Sequence, residues 1–312
     1  PRAYSNSRAE GEVSPLGCRA AAPRAGGGGG GRGAMRGTAV VVTGATGGIG
    51  RHTAARLAAA GARVMLHGRT LEKAAECAKR LSGELGPGLL HPLEPIGGDL
   101  SSVAGALEVA RQVEGAGGCD VLVNNAGVFS GDPRREGGDG LELTWAVNVL
   151  APFVLTQELL ASGSVRHHVV NVASISASGD FPWDDLQLER GFTGHRAYSL
   201  SKLASIAFTL GLARRLEGRP VTANCLDPGT VDTQMLRAGW NCGGIPVSAA
   251  DDESWLVEDA VSGGKTSGRR TGLYFVGRRP TSPPRAAGDP ESQDRLWAVL
   301  EEQARRYRPG PA

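Results

Sequence analysis

From residue 38 onward, short, mostly apolar runs alternate with longer stretches whose apolar positions recur three and four residues apart. The short runs cover residues 38–43, 63–67, 93–96, 120–123, 168–172, 221–225 and 273–276. Most are continuous rather than alternating, the pattern of strands buried on both faces. The helical periodicity falls between them, over 51–60, 71–81, from 102, over 141–160 and over 197–216. Strand and helix in strict alternation imply an α/β fold with a doubly wound parallel sheet in three layers. Residues 235–267 show no clear period and read as irregular. A Pro-rich link and an amphipathic helix around Leu296, Trp297 and Leu300 close the chain. No internal repeat is apparent.

Composition narrows the function classes. With 40% hydrophobic and 21% charged residues, the 312-residue chain has ample material for a core. Its net charge of +2, with acids and bases interspersed, argues against a nucleic-acid surface. No uninterrupted apolar run approaches the length of a transmembrane segment. The five cysteines form no Cys-x-x-Cys pair and fit buried thiols better than a disulfide scaffold or metal site. Residues 1–36 stand apart: they are arginine-bearing, poor in acids, and carry an unbroken glycine run from Gly26 to Gly31. Three readings compete for this segment, namely a transit peptide, a flexible tail, or leader upstream of a start at Met35. The expected location is cytoplasmic, or plastid or mitochondrion under the transit-peptide reading. Residues 37–312 are expected to form one domain.

The junctions between strands and helices carry the candidate chemistry. The first run passes directly into Thr43, Gly44, Ala45, Thr46, Gly47, Gly48, Ile49 and Gly50 and then into a helix. Strand, glycine turn and helix in that order suit a dinucleotide, whose pyrophosphate rests on the helix N-terminus. At the end of the second run stands Arg69, with no acid before Glu72. An arginine there accommodates a 2′-phosphate, so NADP(H) is expected over NAD(H), which remains the alternative. Asp99, followed by Leu100, bonds the adenine edge or caps the next helix. Asn125, Ala126 and Gly127 form a tight turn after Asn124, and Asn148 sits inside a predicted helix. Ser174 ends the fifth run, at a carboxyl end where it suits either a carbonyl oxygen or the start of a loop. Tyr198 and Lys202 lie four apart on a helix and share one face. A nearby cation favours the phenolate, which makes the pair suited to proton transfer. Pro228, Gly229, Val231 and Thr233 follow the sixth run.

Taken together, Thr43-Gly44-x-x-x-Gly48-x-Gly50, Asn124-Asn125-Ala126-Gly127, Asn148, Ser174, Tyr198-x-x-x-Lys202 and Pro228-Gly229 resemble the classical short-chain dehydrogenase/reductase family. The likeness extends from residue 37 to about 300. The glycine loop also fits the Thr-Gly-x-x-Gly-x-x-Gly of the extended, epimerase-bearing branch. Residues 184–190 and 198–203 look like the retinol-dehydrogenase and WW-domain-oxidoreductase group. The resemblance implies a single Rossmann-type domain with about seven parallel strands, and a nicotinamide cofactor. It also implies a catalytic set of Asn148, Ser174, Tyr198 and Lys202. Cofactor contacts are expected from the glycine loop, Arg69, Asp99, Leu100, Asn125 to Gly127, Tyr198, Lys202, Pro228, Gly229, Val231 and Thr233. Two departures stand out: Ala173 replaces a frequent serine, and Asp227 a frequent histidine. The expected partner is a small apolar substrate, lined by residues 176–193 and 234–267 with Phe181, Trp183, Trp240 and Trp255. A homodimer through the helices around Asn148 and from Tyr198 onward is the expected assembly, the apolar face Leu203, Ile206, Ala207 and Leu210 serving that or the sheet. A non-catalytic NADP(H)-binding sensor or scaffold is the alternative function.

Overall fold

The computed structural model describes residues 34–262, 270–308 and 310. Most of the proposed leader, and residues 263–267 at the end of the expected pocket, lie outside the described residues. The domain packs from Met35, which is buried and donates its backbone N–H to the Ala60 carbonyl.

The sheet grows outward from β1 (Ala39–Val42), whose four residues have almost no exposed surface. Side chains alternate across it. Val40 and Val42 face one core with helix α1 (Gly48–Ala59), while Ala39 and Val41 face the other. The chain continues through β2 (Arg63–Gly68), α2 (Leu71–Leu85), β3 (Glu94–Gly97), α3 (Val103–Gly115) and β4 (Cys119–Asn124). A short α4 (Leu143–Trp145) runs through a π turn (Ala146–Leu150) into α5 (Ala151–Ala161). Next come β5 (Val165–Val172), α6 (Gly194–Arg215), β6 (Thr222–Asp227), α7 (Gln234–Trp240), α8 (Asp252–Val261), β7 (Leu273–Val276), β8 (Arg279–Thr281), α9 (Arg285–Gly288) and α10 (Pro290–Arg306). The strand order is β3-β2-β1-β4-β5-β6-β7-β8, parallel except for the last pairing. Helices α1, α2 and α8 cover one face; α3, α5, α6 and α10 cover the other. Order reverses between β1 and β4, so their carboxyl ends open the crevice where ligands of such sheets bind.

Several expectations need correction. An antiparallel β8 extends the predicted parallel sheet to eight strands. The stretch read as irregular contains α7 and α8; α8 escaped notice because polar Glu253 and Ser254 are buried alongside Leu256 and Val257. The continuous helix Leu143–Ala161 is long and apolar enough to cross a membrane, with a mean hydropathy of 1.3, yet 83% of that window is buried inside the domain. Burial in the protein core explains its composition. Cys77, Cys119 and Cys225 are buried free thiols as expected, whereas half-buried Cys242 is disulfide-bonded.

The face expected to pair with a second copy is covered from within. Trp297, Leu296 and Leu300 of α10 are buried, with Trp297 5.1 Å from the Phe153 ring and 5.9 Å from Phe208. Arg215 lies 4.1 Å over the Trp297 ring. Trp145 donates its indole N–H to Gln303 at 3.0 Å. Burying each such side chain contributes ~1.5–3 kcal/mol, enough to hold α10 against α5 and α6. Leu203, Ile206 and Ala207 are fully buried within the chain, and Leu210 partly so.

Candidate active site

At the crevice the backbone is held by side chains. The Thr43 hydroxyl donates to the Val123 carbonyl and accepts from the Asn125 and Ala126 N–H groups, both at 3.0 Å. The Asn125 amide donates to the Thr43 carbonyl at 2.6 Å. Gly44 adopts φ +65°, and a Cβ there would sit 2.8 Å from the Ala126 Cα. A Cβ on Gly50 would lie 2.2 Å from the Asn125 amide nitrogen and 2.7 Å from the Gly44 carbonyl oxygen. Only glycine lets α1 approach this closely. Gly47 gives α1 no side-chain cap and its first turn contains no acid, leaving the N–H groups for an anion. Thr233 faces this opening, its methyl 3.6 Å from where a Gly48 Cβ would stand. A bare helix N-terminus behind a glycine cradle fits the pyrophosphate of a dinucleotide.

The flanking positions sort themselves by hydrogen bonding. Arg69 is exposed and, among the described residues, has no hydrogen-bond or ion-pair partner. Asp99 does not cap α3. That cap is Ser102, which accepts from Gly105, while Asp99 accepts from the Ser101 N–H at 3.0 Å and shapes the preceding turn. Leu100 is buried. Gly229 takes φ +83°, Val231 is buried and bridges to Ile245, and Thr233 caps α7.

Helix α6 brings Tyr198 and Lys202 beneath the crevice, both buried, with the ammonium 5.5 Å from the phenol ring centroid. Ser174 stands near enough to the phenol to favour its ionised form. Lys202 donates to the Val172 carbonyl at 2.7 Å. Asn148 lies at the middle of the π turn, so its side chain faces inward: it accepts from the Val128 N–H at 2.8 Å and donates to the Val128 carbonyl and the Ser201 hydroxyl. A Cβ on Gly127 would stand 3.5 Å from the Asn148 oxygen and 3.8 Å from the Lys202 nitrogen. The four side chains expected to act together therefore converge. Asp227 secures them from behind, accepting from Ile175 and Gly229 backbone N–H groups at 2.9 and 3.0 Å.

The electrostatics differ from the expectation of a lysine-lowered phenol. Burial raises the Tyr198 pKa; neighbouring Ser174 opposes this and Asp227 adds to it. Burial also draws Lys202 down to about 8, against the pull of Glu253 and Asp227. Desolvation dominates because these groups lie out of water, so the resting phenol is protonated.

Of the four aromatics assigned to the pocket, Trp240 alone meets Tyr198, with ring centroids 5.1 Å apart. Phe181 and Trp183 stack on each other at 4.7 Å, and Arg295 lies over Trp183, tying that pair to α10. Trp255 packs on Phe275 on the opposite face of the sheet. The other rings at the site are Phe129 and His195, 6.1 Å from Tyr198 and 5.2 Å from Trp240 respectively. Their positions supply the missed signal, since Phe129 follows the Asn-Asn-Ala-Gly turn and His195 precedes Tyr198 by one helical turn. Buried Glu253 was also missed; it accepts from the Thr53 hydroxyl at 3.0 Å, and burial pushes it up to about 7.

Known proteins share this architecture. The family model described as short chain dehydrogenase matches residues 38–241. A polyprenol dehydrogenase of Mus musculus is 36% identical over 280 residues, covering 84% of this chain and 82% of that protein. Retinol dehydrogenase 13 of Homo sapiens is 34% identical over 294 residues, covering 88% and 86%. The crystal structure of a short chain dehydrogenase from Burkholderia cenocepacia J2315 in complex with NADP superposes with a TM-score of 0.58 at 27% identity, covering 78% of this chain and 96% of that one.

Proposed function

The chain belongs to the short-chain dehydrogenase family, and from that premise we propose an NADP(H)-dependent oxidoreductase for an apolar alcohol or carbonyl of retinoid-, steroid- or lipid-aldehyde-like chemistry. The observation that carries the reading is the buried Tyr198–Ser174 pair, set beside the glycine cradle and roofed by Phe129, His195 and Trp240. A nicotinamide dinucleotide held by the glycine cradle would supply the hydride chemistry.

This chain's residues handle the oxygen and its proton. Tyr198, protonated at rest, gives its proton to the oxygen of a carbonyl being reduced and takes it back in oxidation. Ser174 donates a hydrogen bond to the same oxygen as negative charge develops there. Lys202 is a buried, readily shifted ammonium beside the phenol, suited to restore its proton. Asn148 acts through position, tying Val128 to Ser201, the residue immediately before Lys202. A retained proton-transfer set favours an enzyme over a sensor or scaffold, which needs only the cradle.

Unpartnered Arg69 supports NADP(H), and the relatives named for retinol and polyprenol support an apolar alcohol. The test is parallel titration of the full chain with NADPH and NADH, followed by turnover of retinal and of small polar aldehydes. We expect tight NADPH binding, weaker NADH binding, and loss of the difference in Arg69→Ala. An NADH preference overturns the assignment to Arg69; faster turnover of polar aldehydes overturns the substrate class.

A further inference from the structure

We infer that His67 is a positioning residue for the dinucleotide: its imidazole, held as one neutral tautomer, latches the first turn of the glycine loop to the neighbouring strand. The inference rests on the cofactor reading above. His67 is buried at the end of β2. Its Nδ1 lies 3.1 Å from the Gly44 backbone nitrogen and its Nε2 lies 3.0 Å from the Gly98 carbonyl oxygen. A backbone N–H only donates and a carbonyl only accepts. The ring is therefore protonated on Nε2 and bare on Nδ1. The His67 carbonyl also accepts from the Ala45 N–H at 2.8 Å. One residue thus holds two successive N–H groups of the loop, on the side opposite Thr43 and Asn125.

Adding a second proton reverses the latch. An N–H on Nδ1 would confront the Gly44 N–H, two donors face to face with no acceptor between them. The turn would have to open, and with it the cradle. Burial lowers the His67 pKa, while the Gly98 carbonyl and the Asp99 carboxylate beyond β3 oppose that. The surroundings bring little other charge. β1 and the loop have none, and α2 contributes the Cys77 thiol, which donates to the Ala45 and Thr46 carbonyls. Glu94 is paired with Arg63 at the far end of β3, and Arg69 is exposed just past the end of β2. Because the protonated ring is the form that cannot hold the loop, cofactor affinity falls as pH drops through a pKa below the ordinary histidine value of about 6.5.

The full chain is titrated with NADPH and, because a 2′-phosphate itself titrates near pH 6, with NADH in parallel, from about pH 8 to about pH 5. His67→Leu leaves the Gly44 N–H without an acceptor and is expected to weaken both cofactors by about tenfold or more. His67→Gln offers an amide oxygen to Gly44 and an amide N–H to Gly98, with no titration. It should recover most of the affinity at neutral pH and lack the acid-side loss of NADH binding found in the unmodified chain. Wild-type affinity in a folded His67→Leu overturns the inference, as does an undiminished acid-side loss in His67→Gln. If His67→Leu does not fold, the His67→Gln profile alone decides. Failure of the unmodified chain to bind either nucleotide would overturn the cofactor reading itself, and this inference with it.

Discussion

The two walls of the crevice are held by different chemistry. On the cofactor side, Thr43, Asn125 and His67 fix the glycine loop through directional hydrogen bonds from both neighbouring strands. On the substrate side, Phe129 and Trp240 meet Tyr198 and each other, and His195 meets both of them, edge-on or tilted, with centroids 5.1–6.1 Å apart. Hydrogen bonds weaken steeply when bent, so the first wall permits one backbone path. Aromatic packing tolerates several arrangements at similar energy, so the second can reshape around different substrates. A cofactor of fixed shape suits the rigid wall, and specificity belongs to the other.

Tyr198 stands where the walls meet, and its removal is expected to have the largest effect. Tyr198→Phe keeps the ring contacts and deletes only the hydroxyl. Turnover should fall by about 10²–10⁴-fold, the range of a lost general acid or base, while nucleotide affinity holds in a fluorescence titration. A parallel loss of affinity would place the phenol in the rigid wall instead.

Next comes the glycine wall. Gly50→Ala drives a methyl into the Asn125 amide and the Gly44 carbonyl. Overpacking of this kind costs about 1–3 kcal/mol, read as a lower denaturation midpoint. Nucleotide binding should weaken beyond that loss, because the displaced groups shape the cradle. A stable Gly50→Ala that binds NADPH normally would show that the rigid wall yields more than its bonds suggest.

The same contrast explains what the sequence made legible. The cradle follows from local facts: an apolar strand, glycines at set intervals, and a helix directly after them. That Tyr198 and Lys202 share a face follows from helical spacing, and the motifs upstream give the pair its chemical meaning. The pocket aromatics did not, because a ring in a loop carries no periodicity to say where it points. Phe181, Trp183 and Trp255 pack elsewhere, and Phe129 and His195 take the places expected of them. α8 was hidden because its buried face includes Glu253 and Ser254. Pro280 obscured β8, a three-residue edge strand where proline is tolerated. His67 falls inside a strand run, and its polar side chain among apolar neighbours is the signal the run offers.

The substrate wall should yield a smaller effect than either. Trp240→Ala removes the half-buried ring lying against Tyr198. Stability should change by less than about 1 kcal/mol, since a partly exposed side chain contributes little to the core. The ratio of kcat/KM for retinal over a short aldehyde should drop by about tenfold, as apolar contact is lost to the larger substrate. An unchanged ratio would mean that Trp240 only packs the site.

The last effect, spread over pH, concerns proton count. Glu253 is raised from 4.5 to about 7, and Lys202 is lowered from 10.5 to about 8, both by burial. Between pH 4.5 and about 7 the native chain holds a proton on Glu253 that the unfolded chain has released, so stability falls as pH rises through that window. Between about 8 and 10.5 the unfolded chain holds the extra proton, on Lys202, so stability rises with pH there. Glu253→Gln should abolish the first slope, a change of up to about 1.4 kcal/mol per pH unit. It also removes an anion that favours the Lys202 ammonium, so the second slope should begin at lower pH. Denaturation midpoints measured across both windows test the pair together. A Lys202 window that stays in place would mean the buried acid under α1 and the catalytic lysine do not interact, and that the proton chemistry of the two walls is separate.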